Sequence, residues 1–546
     1  MSAQKKIDKN AEQTRIDSIR AKFLEHDDLE DELKYQTIVE YCRENKTTFH
    51  DGEFVHCDEN LGKWLLKEWK GPSAVQKVKK KLKKDRKEKQ DPDPKNPIPI
   101  DEKWHRLAPN LESSNTWEFY VPTFEYEVFQ CGLENCGLIA SLSAVSAHRS
   151  ILNFMFRDLS LNEFGVYQVN LCVDGEWKTI TVDDWVPCVR GVSKSAGFTC
   201  INGTYQIWPG IVEKAIAKVF GGYQDLRGFD SLRALQMMTG APGVLYHPQQ
   251  FDIDELWRIL MEARSKNFQM TCGTSKPSNE RKYNKKVKKL EEPEIARGHG
   301  YTILAVREFN EHKLLRLRNP WGRSEWNGRF SMNWTGWSAY MIWRLLLSYR
   351  FVCGSFWMEL DQFVKFFDIF TICRYRDSWY VIRLRMVIGG VYDGSQKAIR
   401  ISVPAACEIA VSSFLPNQGK SRYHSWIIIY QIHDSEEVGP VILAEPISPS
   451  TEDIKLQPGD YMIIVSAFPT SKNERNVSIH SSIPVSARIS DWNPVKIAEI
   501  MQKAVREMGR EVVADKEDVS IMKYERMDFV VVMAQHYGYE KMLHVQ

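Results

Sequence analysis

Three residue types that together perform acyl transfer occur in this chain in the order Cys136, His299 and Asn319. A cysteine nucleophile needs a base that takes or shares its proton. The imidazole that serves needs a neutral partner to fix its tautomer and orientation. Cys136 opens an apolar pattern in which Leu138, Ile139, Leu142 and Val145 recur at helical spacing, so one face of that helix can be buried. A thiol at a helix N-terminus feels the positive end of the macrodipole, which favours thiolate. Gln130, upstream of Cys136, is placed to donate its amide to an oxyanion growing on the same substrate. His299, within Gly298-His299-Gly300, precedes the strand pattern Tyr301–Val306. A turn near Asn310 returns the chain through Leu314–Arg318 to Asn319-Pro320-Trp321-Gly322. That predicted hairpin sets His299 beside Asn319, with Trp321 positioned to cover their hydrogen bond. Each residue alone reads more simply as structure; Gln130, Cys136, His299 and Asn319 together do not.

The surrounding composition is that of an ordinary globular chain. Its 546 residues are 43% hydrophobic and 26% charged, with 17 Trp and 25 Phe for large cores. That length accommodates about two to four domains. A net charge of +2 excludes a molecule built throughout as a polyanion binder. Eleven cysteines without a framework spacing read as reduced thiols of a cytoplasmic protein. The N-terminus lacks the apolar core of a secretory signal. The longest apolar stretch, Ala339–Met358, carries Arg344 and Arg350, which disfavours a membrane span.

Residues 1–45 read as a helical arm, with Ile16, Ile19 and Phe23 on one face and Leu29 and Leu33 on another. Residues 46–103 form a segment preceding the core, with a basic run from Lys77 to Lys89 and the Pro-rich DPDPKNPIPI. A second basic loop runs from Arg281 to Lys289. Both read as solvated insertions; the alternative is contact with an acidic protein or membrane surface. No aromatic interleaves the first lysine run, so specific nucleic-acid binding is not expected. Residues 104–369 are mixed and globular. Residues 370–490 alternate in short β runs between turn clusters, the pattern of an antiparallel β-sandwich. A C-terminal extension, 491–546, holds a predicted helix over Val495–Met508 and an apolar strand over Asp528–Met533. No segment matches an EF-hand loop.

These motifs resemble those of the calpain cysteine proteases. The family's Gln-Gly-x-Leu-Gly-Asp-Cys-Trp, Gly-His-Ala-Tyr and Arg-Asn-Pro-Trp-Gly appear in order as Gln130–Gly137, Gly298–Tyr301 and Arg318–Gly322. The likeness extends to Phe49–Gly62, Val182–Pro187, Trp208–Gly222, Gly354–Met358 and Leu456–Tyr461, and so over most of residues 45–490. It implies an α+β fold: a papain-like cysteine protease core in two lobes, about 104–240 and 241–369, followed by the antiparallel β-sandwich. It also implies roles: Cys136 as nucleophile, His299 as general base and acid, Asn319 as its orienter, and Gln130 with the Cys136 backbone N–H as oxyanion hole. The reaction implied is limited endoproteolysis of intracellular proteins, in the cytoplasm or in association with the cytoskeleton.

Three positions depart from the family pattern. Gly137 stands where the family has Trp, and Asn135 where it has Asp. Calpain cores bind calcium in each lobe, and by resemblance Glu127 and Glu325 fall at ligand positions. The other acidic positions are occupied by Gln206, Met332 and Cys353-Gly354-Ser355. Calcium needs several carboxylate or carbonyl oxygens, so weak or absent binding is expected and no cofactor is required. The competing reading is a non-catalytic scaffold held in an assembly through the basic insertions and the sandwich. Transglutaminase-type acyl transfer would prefer Asp as the third member.

Overall fold

A computed structural model describes residues 28–57, 60–61, 104–107, 116–122, 127–189, 192–193, 204–275, 295–323, 326–347, 352–388, 396–416, 425–432, 438–447, 449–466, 473–493, 496–512, 519–526, 529–536 and 542–544. Both lysine-rich runs, the first helical face of residues 1–27 and Glu325 lie outside the described residues. The chain forms two compact units. One comprises residues up to Arg374, apart from Val173–Glu176 and Ala241–Val244, which belong with Tyr375–Gln546 to the other. Helices and antiparallel sheets are mixed throughout, an α+β organisation.

In the first unit a helix, α1 (Cys136–Ser146), packs on the helix α2 (Ser231–Thr239) and on the strands β1 (Gln269–Gly273) and β2 (Gly300–Phe309). From Gly137 to Ser146 every residue of α1 is buried, more than the one face that the apolar spacing predicts. Small residues allow this, because Ser141 and Ser146 return their hydroxyls to carbonyls within the helix, of Gly137 at 2.9 Å and of Ser143 at 2.7 Å.

β2 pairs antiparallel with β3 (His312–Arg318), which pairs with β4 (Ser355–Glu359); β1 pairs with β2 and with β5 (Ile369–Cys373). The β2–β3 turn places Asn310 at φ 46° and Glu311 at φ 67°, two consecutive left-handed residues that match strand twist. Its register sets Thr302 opposite Arg318, so the residues just beyond, His299 and Asn319, emerge at one end of the hairpin. One side of this sheet closes over Leu256, Leu260, Phe363, Phe367 and Phe370, all fully buried or nearly so.

The N-terminal segment is held on the same unit by charge. Asp183, fully buried, accepts the Asp51 backbone N–H at 2.7 Å and His56 Nε2 at 3.0 Å, and binds the buried Lys214 ammonium. Lys218 in turn bonds Asp51 at 2.8 Å. These are paired, multiply bonded buried charges, the form in which such groups are tolerated. On the preceding helix, Asp28–Asn45, Leu33 is 64% exposed and Cys42 is the buried side chain.

In the second unit, one antiparallel sheet orders strands Tyr380–Ile388, Asn473–Ser481, Cys407–Phe414 and Ile454–Leu456. Another orders Val438–Ile447, Ser425–Ile432, Gly459–Ser466, Gln396–Val403 and Ser486–Trp492. Ile399, Ile409, Ile427, Ile463 and Ile479 from both sheets share one fully buried core, as alternation with β-branched side chains requires. Beyond these lie a helix over Lys496–Met508 and strands that include Val519–Arg526 and Phe529–His536. Among the described residues no helix is long and apolar enough to cross a membrane.

Candidate active site

Cys136 is the first residue of α1, and Asn135 precedes it as N-cap without a side-chain cap bond. Instead Asn135 Nδ2 donates to Glu213 Oε1 at 2.6 Å, with both residues buried. A carboxylate at 135 would meet the Glu213 carboxylate in a dry setting, where two like charges cannot both ionise. The amide found here is therefore the partner that Glu213 demands.

Gly137 is packed from two sides. A Cβ on it would lie 2.2 Å from the Phe229 carbonyl oxygen and 3.3 Å from the Ser231 nitrogen. The room a side chain would take is filled by the chain leading into α2. That chain is held by the Gly228 N–H donating to Glu134 O at 2.7 Å and by Asp230 accepting the Arg233 N–H at 3.1 Å. On the other side, a Cβ on Gly300 would stand 3.2 Å from the Gly137 Cα. Gly137 and Gly300 thus bring the start of α1 against the start of β2, backbone to backbone. The backbone N–H groups of Gly300, Gly137 and Cys136 lie where they favour the thiolate of Cys136.

His299 is buried, its backbone N–H donating to Thr274 Oγ1 at 3.1 Å and its carbonyl accepting the Thr274 N–H at 3.0 Å. Its Nε2 lies 2.9 Å from Asn319 Oδ1. The Trp321 backbone N–H, which can only donate, also reaches Asn319 Oδ1 at 2.9 Å. That second donor identifies the atom as oxygen, so His299 carries its proton on Nε2 and presents Nδ1 as acceptor. The Trp321 ring stands over the imidazole with centroids 4.2 Å apart, and Tyr301 meets it edge-on at 5.0 Å. Asn319 is held by its own N–H, which donates to Gly354 O at 3.0 Å. Gly354 has φ 77°, and a Cβ there would lie 2.7 Å from the Asn319 carbonyl oxygen, so only glycine fits.

Gln130 joins the same cluster. Its backbone N–H donates to Pro320 O at 3.0 Å, and its Oε1 accepts the Trp321 indole N–H at 2.8 Å. Its Nε2 donates one hydrogen to Leu133 O at 2.5 Å, leaving the second for a ligand. Sequence reasoning passed over Arg318, although it lies inside a quoted motif. It is fully buried, donating to Val128 O at 2.7 Å, Ser143 Oγ at 3.0 Å and Cys353 O at 3.1 Å, and its guanidinium covers the Phe129 ring. Burial lowers its pKa to about 10, against the opposing field of Glu127. The signal that could have found it is its place as the last residue of the strand His312–Arg318, directly before Asn319.

Burial pushes the Cys136 thiol above its ordinary range, more strongly than the backbone donors draw it down. Burial also pushes His299 below the usual imidazole range, with Asn319 acting in the opposite direction. At neutral pH both groups are therefore held neutral, as thiol and imidazole. The expected result is an alkylation rate at Cys136 that climbs with pH through and beyond the ordinary thiol range of about 8.5. Iodoacetamide labelling of Cys136, followed by peptide mass analysis across pH, checks it; a flat reactive plateau between pH 5 and 7 would contradict it.

The calcium positions can be tested on their surroundings. Glu127 is buried in the field of the Arg318 guanidinium, a positive charge that opposes a cation at that carboxylate. The Cys353 carbonyl accepts from that same arginine, and the Gln206 amide oxygen accepts the Val121 N–H at 2.8 Å. Met332 offers a thioether and is 42% exposed. Among the described residues no group of three or more His, Cys, Asp or Glu could hold a metal ion. The donors at these positions among the described residues do not fit calcium, a hard ion that takes six to eight oxygens.

Residues 68–374 match the family described as calpain family cysteine protease. The chain is 32% identical over 255 residues to the calpain-type cysteine protease DEK1 of Zea mays, covering 45% of this chain and 11% of that protein. It is 28% identical over 284 residues to human calpain-14, covering 50% of this chain and 39% of the relative. With calpain-8 of Rattus norvegicus it shares 26% identity over 351 residues, 62% of this chain and 44% of the relative. The match spans less than half the length of each of these relatives. A family match over more than half the chain, at the stretch that holds Cys136, His299 and Asn319, settles the kinship: this chain belongs to the calpain family of cysteine proteases.

Proposed function

We propose that the chain is a cysteine endopeptidase that performs limited proteolysis, with Cys136 as nucleophile, His299 as general base and acid, and Asn319 as the residue that orients His299. The observation that carries this reading is the doubly determined Asn319 oxygen. It accepts from both His299 Nε2 and the Trp321 N–H, and so leaves His299 Nδ1 as the basic nitrogen. As Cys136 Sγ bonds to the scissile carbonyl carbon, Nδ1 takes the thiol proton. The carbonyl oxygen becomes an oxyanion, to which the Cys136 backbone N–H and the second Gln130 Nε2 hydrogen donate. Collapse expels the amine, which takes the proton from His299. Water, deprotonated by His299, then cleaves the thioester and restores the thiol. Trp321 shields the His299–Asn319 bond from water throughout.

The architecture that accompanies this reading is a two-lobed papain-like core over 104–369, with lobes of about 104–240 and 241–369. It is preceded by the arm 1–45 and the segment 46–103, and followed by a β-sandwich over 370–490 and the extension 491–546. Substrates are proteins, cut in the cytoplasm, with the lysine-rich runs as contacts for acidic partners. The competing reading, a non-catalytic scaffold held through the basic insertions and the sandwich, has Gly137 and the calcium positions in its favour; the backbone packed around Gly137 gives that glycine a structural reason of its own.

Labelling of the full chain with an epoxide probe for cysteine proteases tests the proposal. Labelling is expected at Cys136, abolished in Cys136→Ala, and reduced on the order of 10²-fold in His299→Ala and in Asn319→Ala. Added calcium is expected to leave the rate unchanged. Labelling of the folded chain no faster than of denatured chain would sink the enzyme reading in favour of the scaffold.

A further inference from the structure

Asparagine is among the best N-cap residues, because its side-chain oxygen readily accepts the N–H of the second or third helical residue. Asn135 stands at the N-cap of α1 and its carbonyl accepts the Ile139 N–H at 3.1 Å, yet its side chain makes no cap bond. The amide is turned instead to Glu213, where Nδ2 donates to Oε1 at 2.6 Å. A carboxylate oxygen only accepts, so the orientation of that amide is fixed. Both residues are buried, Asn135 at 1% and Glu213 at 0% exposure. In that setting a hydrogen bond to a charged acceptor outweighs an N-cap bond to a backbone N–H. Glu213 thereby draws the asparagine away from its own helix.

Glu213 is itself firmly placed. It lies in the helix Trp208–Phe220, which is buried from Trp208 to Ala217. The same helix is tied down by Lys214, bound to the buried Asp183, and by Lys218, 2.8 Å from Asp51. Nearby Tyr223 is held neutral: burial first, and then the Glu213 and Asp183 carboxylates, push its hydroxyl well above the ordinary range.

The consequence falls on the N–H groups that an N-cap asparagine otherwise takes. In α1 these belong to Gly137 and Leu138, the second and third helical residues. The Gly137 N–H is one of those that favour the Cys136 thiolate. We propose that Glu213 is a positioning residue for Cys136: it keeps the Asn135 side chain off α1, and so leaves the Gly137 N–H to the Cys136 sulfur. The inference rests on the reading of Cys136 as the nucleophile. Other charged and titratable groups surround that end of α1. Glu134, whose field opposes the thiolate, is paired with Arg227, and His299 directly precedes Gly300. On the elements packed against α1, Asp230 caps α2, Arg233 lies over the Phe220 ring at 4.7 Å, and burial pushes the Cys272 thiol of β1 well up.

Alkylation of Cys136 by iodoacetamide in the full chain, read by peptide mass analysis across pH, tests this. Glu213→Met removes the acceptor and frees Asn135 to cap α1. The rate near neutral pH should then fall about three- to tenfold, as the profile moves to higher pH. A purely electrostatic influence has the opposite sign, since removing a negative charge favours thiolate. Glu213→Met/Asn135→Ala has lost the same charge and the competing side chain as well, and should recover most of the lost rate. Glu213→Asp keeps the charge and withdraws the acceptor by one methylene, so it should slow alkylation in the same sense. It is the variant to read where methionine unsettles the fold, and melting curves identify the folded proteins. An unchanged or faster rate in folded Glu213→Met or Glu213→Asp overturns the proposal. So does a double variant as slow as Glu213→Met, because a merely structural role gains nothing from removal of the Asn135 side chain. Iodoacetamide needs only the thiolate, whereas epoxide labelling set against denatured chain reads the enzyme itself, so the two readings fail separately.

Discussion

Gly137→Trp, which restores the residue found in the family motif, is expected to leave the first unit unfolded. The Cβ alone would lie 2.2 Å from the Phe229 carbonyl oxygen, and the obstacle is backbone, not a side chain that can swing away. Accommodation would require moving the chain between Gly228 and Ser231, at the cost of the Gly228–Glu134 bond and the Asp230 cap of α2. Gly137→Ala, which adds the Cβ only, should cost about 1–3 kcal/mol as an overpacked core site. The tryptophan should exceed ~4 kcal/mol, beyond what most domains can lose. Thermal unfolding of the first unit, followed by near-ultraviolet circular dichroism, measures both. A soluble tryptophan variant with unchanged melting would mean that the Phe229 segment is free to yield.

Arg318→Met is the second change with a large expected effect. The methionine fills volume but removes the donors that reach Val128 O, Ser143 Oγ and Cys353 O, and the charge that faces buried Glu127. Leaving buried acceptors unsatisfied costs about 1–3 kcal/mol each, and the favourable field that Arg318 lends to Glu127 is lost as well. Two features separate this account from simple misfit. The penalty should shrink as pH falls, since protonation neutralises Glu127. Pairing Arg318→Met with Glu127→Gln should cost less than the sum of the two single changes. Additive losses in denaturant titrations of the four proteins would show that Glu127 and Arg318 are not coupled. Lysine at 318 should rescue only in part, since one ammonium cannot repeat the planar fork that reaches three acceptors.

The same two residues mark how far the sequence could be read. Cys136, Gln130, His299, Asn319 and Trp321 were legible because each sits in a short motif with its own local reason: a helix start, a glycine-flanked loop, a strand end. The hairpin that joins His299 to Asn319 was legible too, because strand alternation and a turn at Asn310 are local properties. Gly137 shows in the sequence only as a departure from the family motif, since a missing side chain says nothing about what fills the space. Its neighbours, Phe229 and Ser231, are about a hundred residues away in sequence, and no period or cap connects them. Arg318 reads only as a strand residue, since its acceptors, on Val128, Ser143 and Cys353, come from three separate places in the chain.

By itself, then, the sequence determined the mixed helix and sheet content, the chain order of the candidate catalytic residues and the family, all of which follow from local pattern. The tertiary structure alone decided three things. The space beside Cys136 is filled by backbone, Glu127 is buried in the field of Arg318, and the Asn319 oxygen fixes the proton on His299. Each depends on atoms brought together from distant parts of the chain, where close packing and buried charge act over a few ångströms and leave no periodic trace in the order of residues.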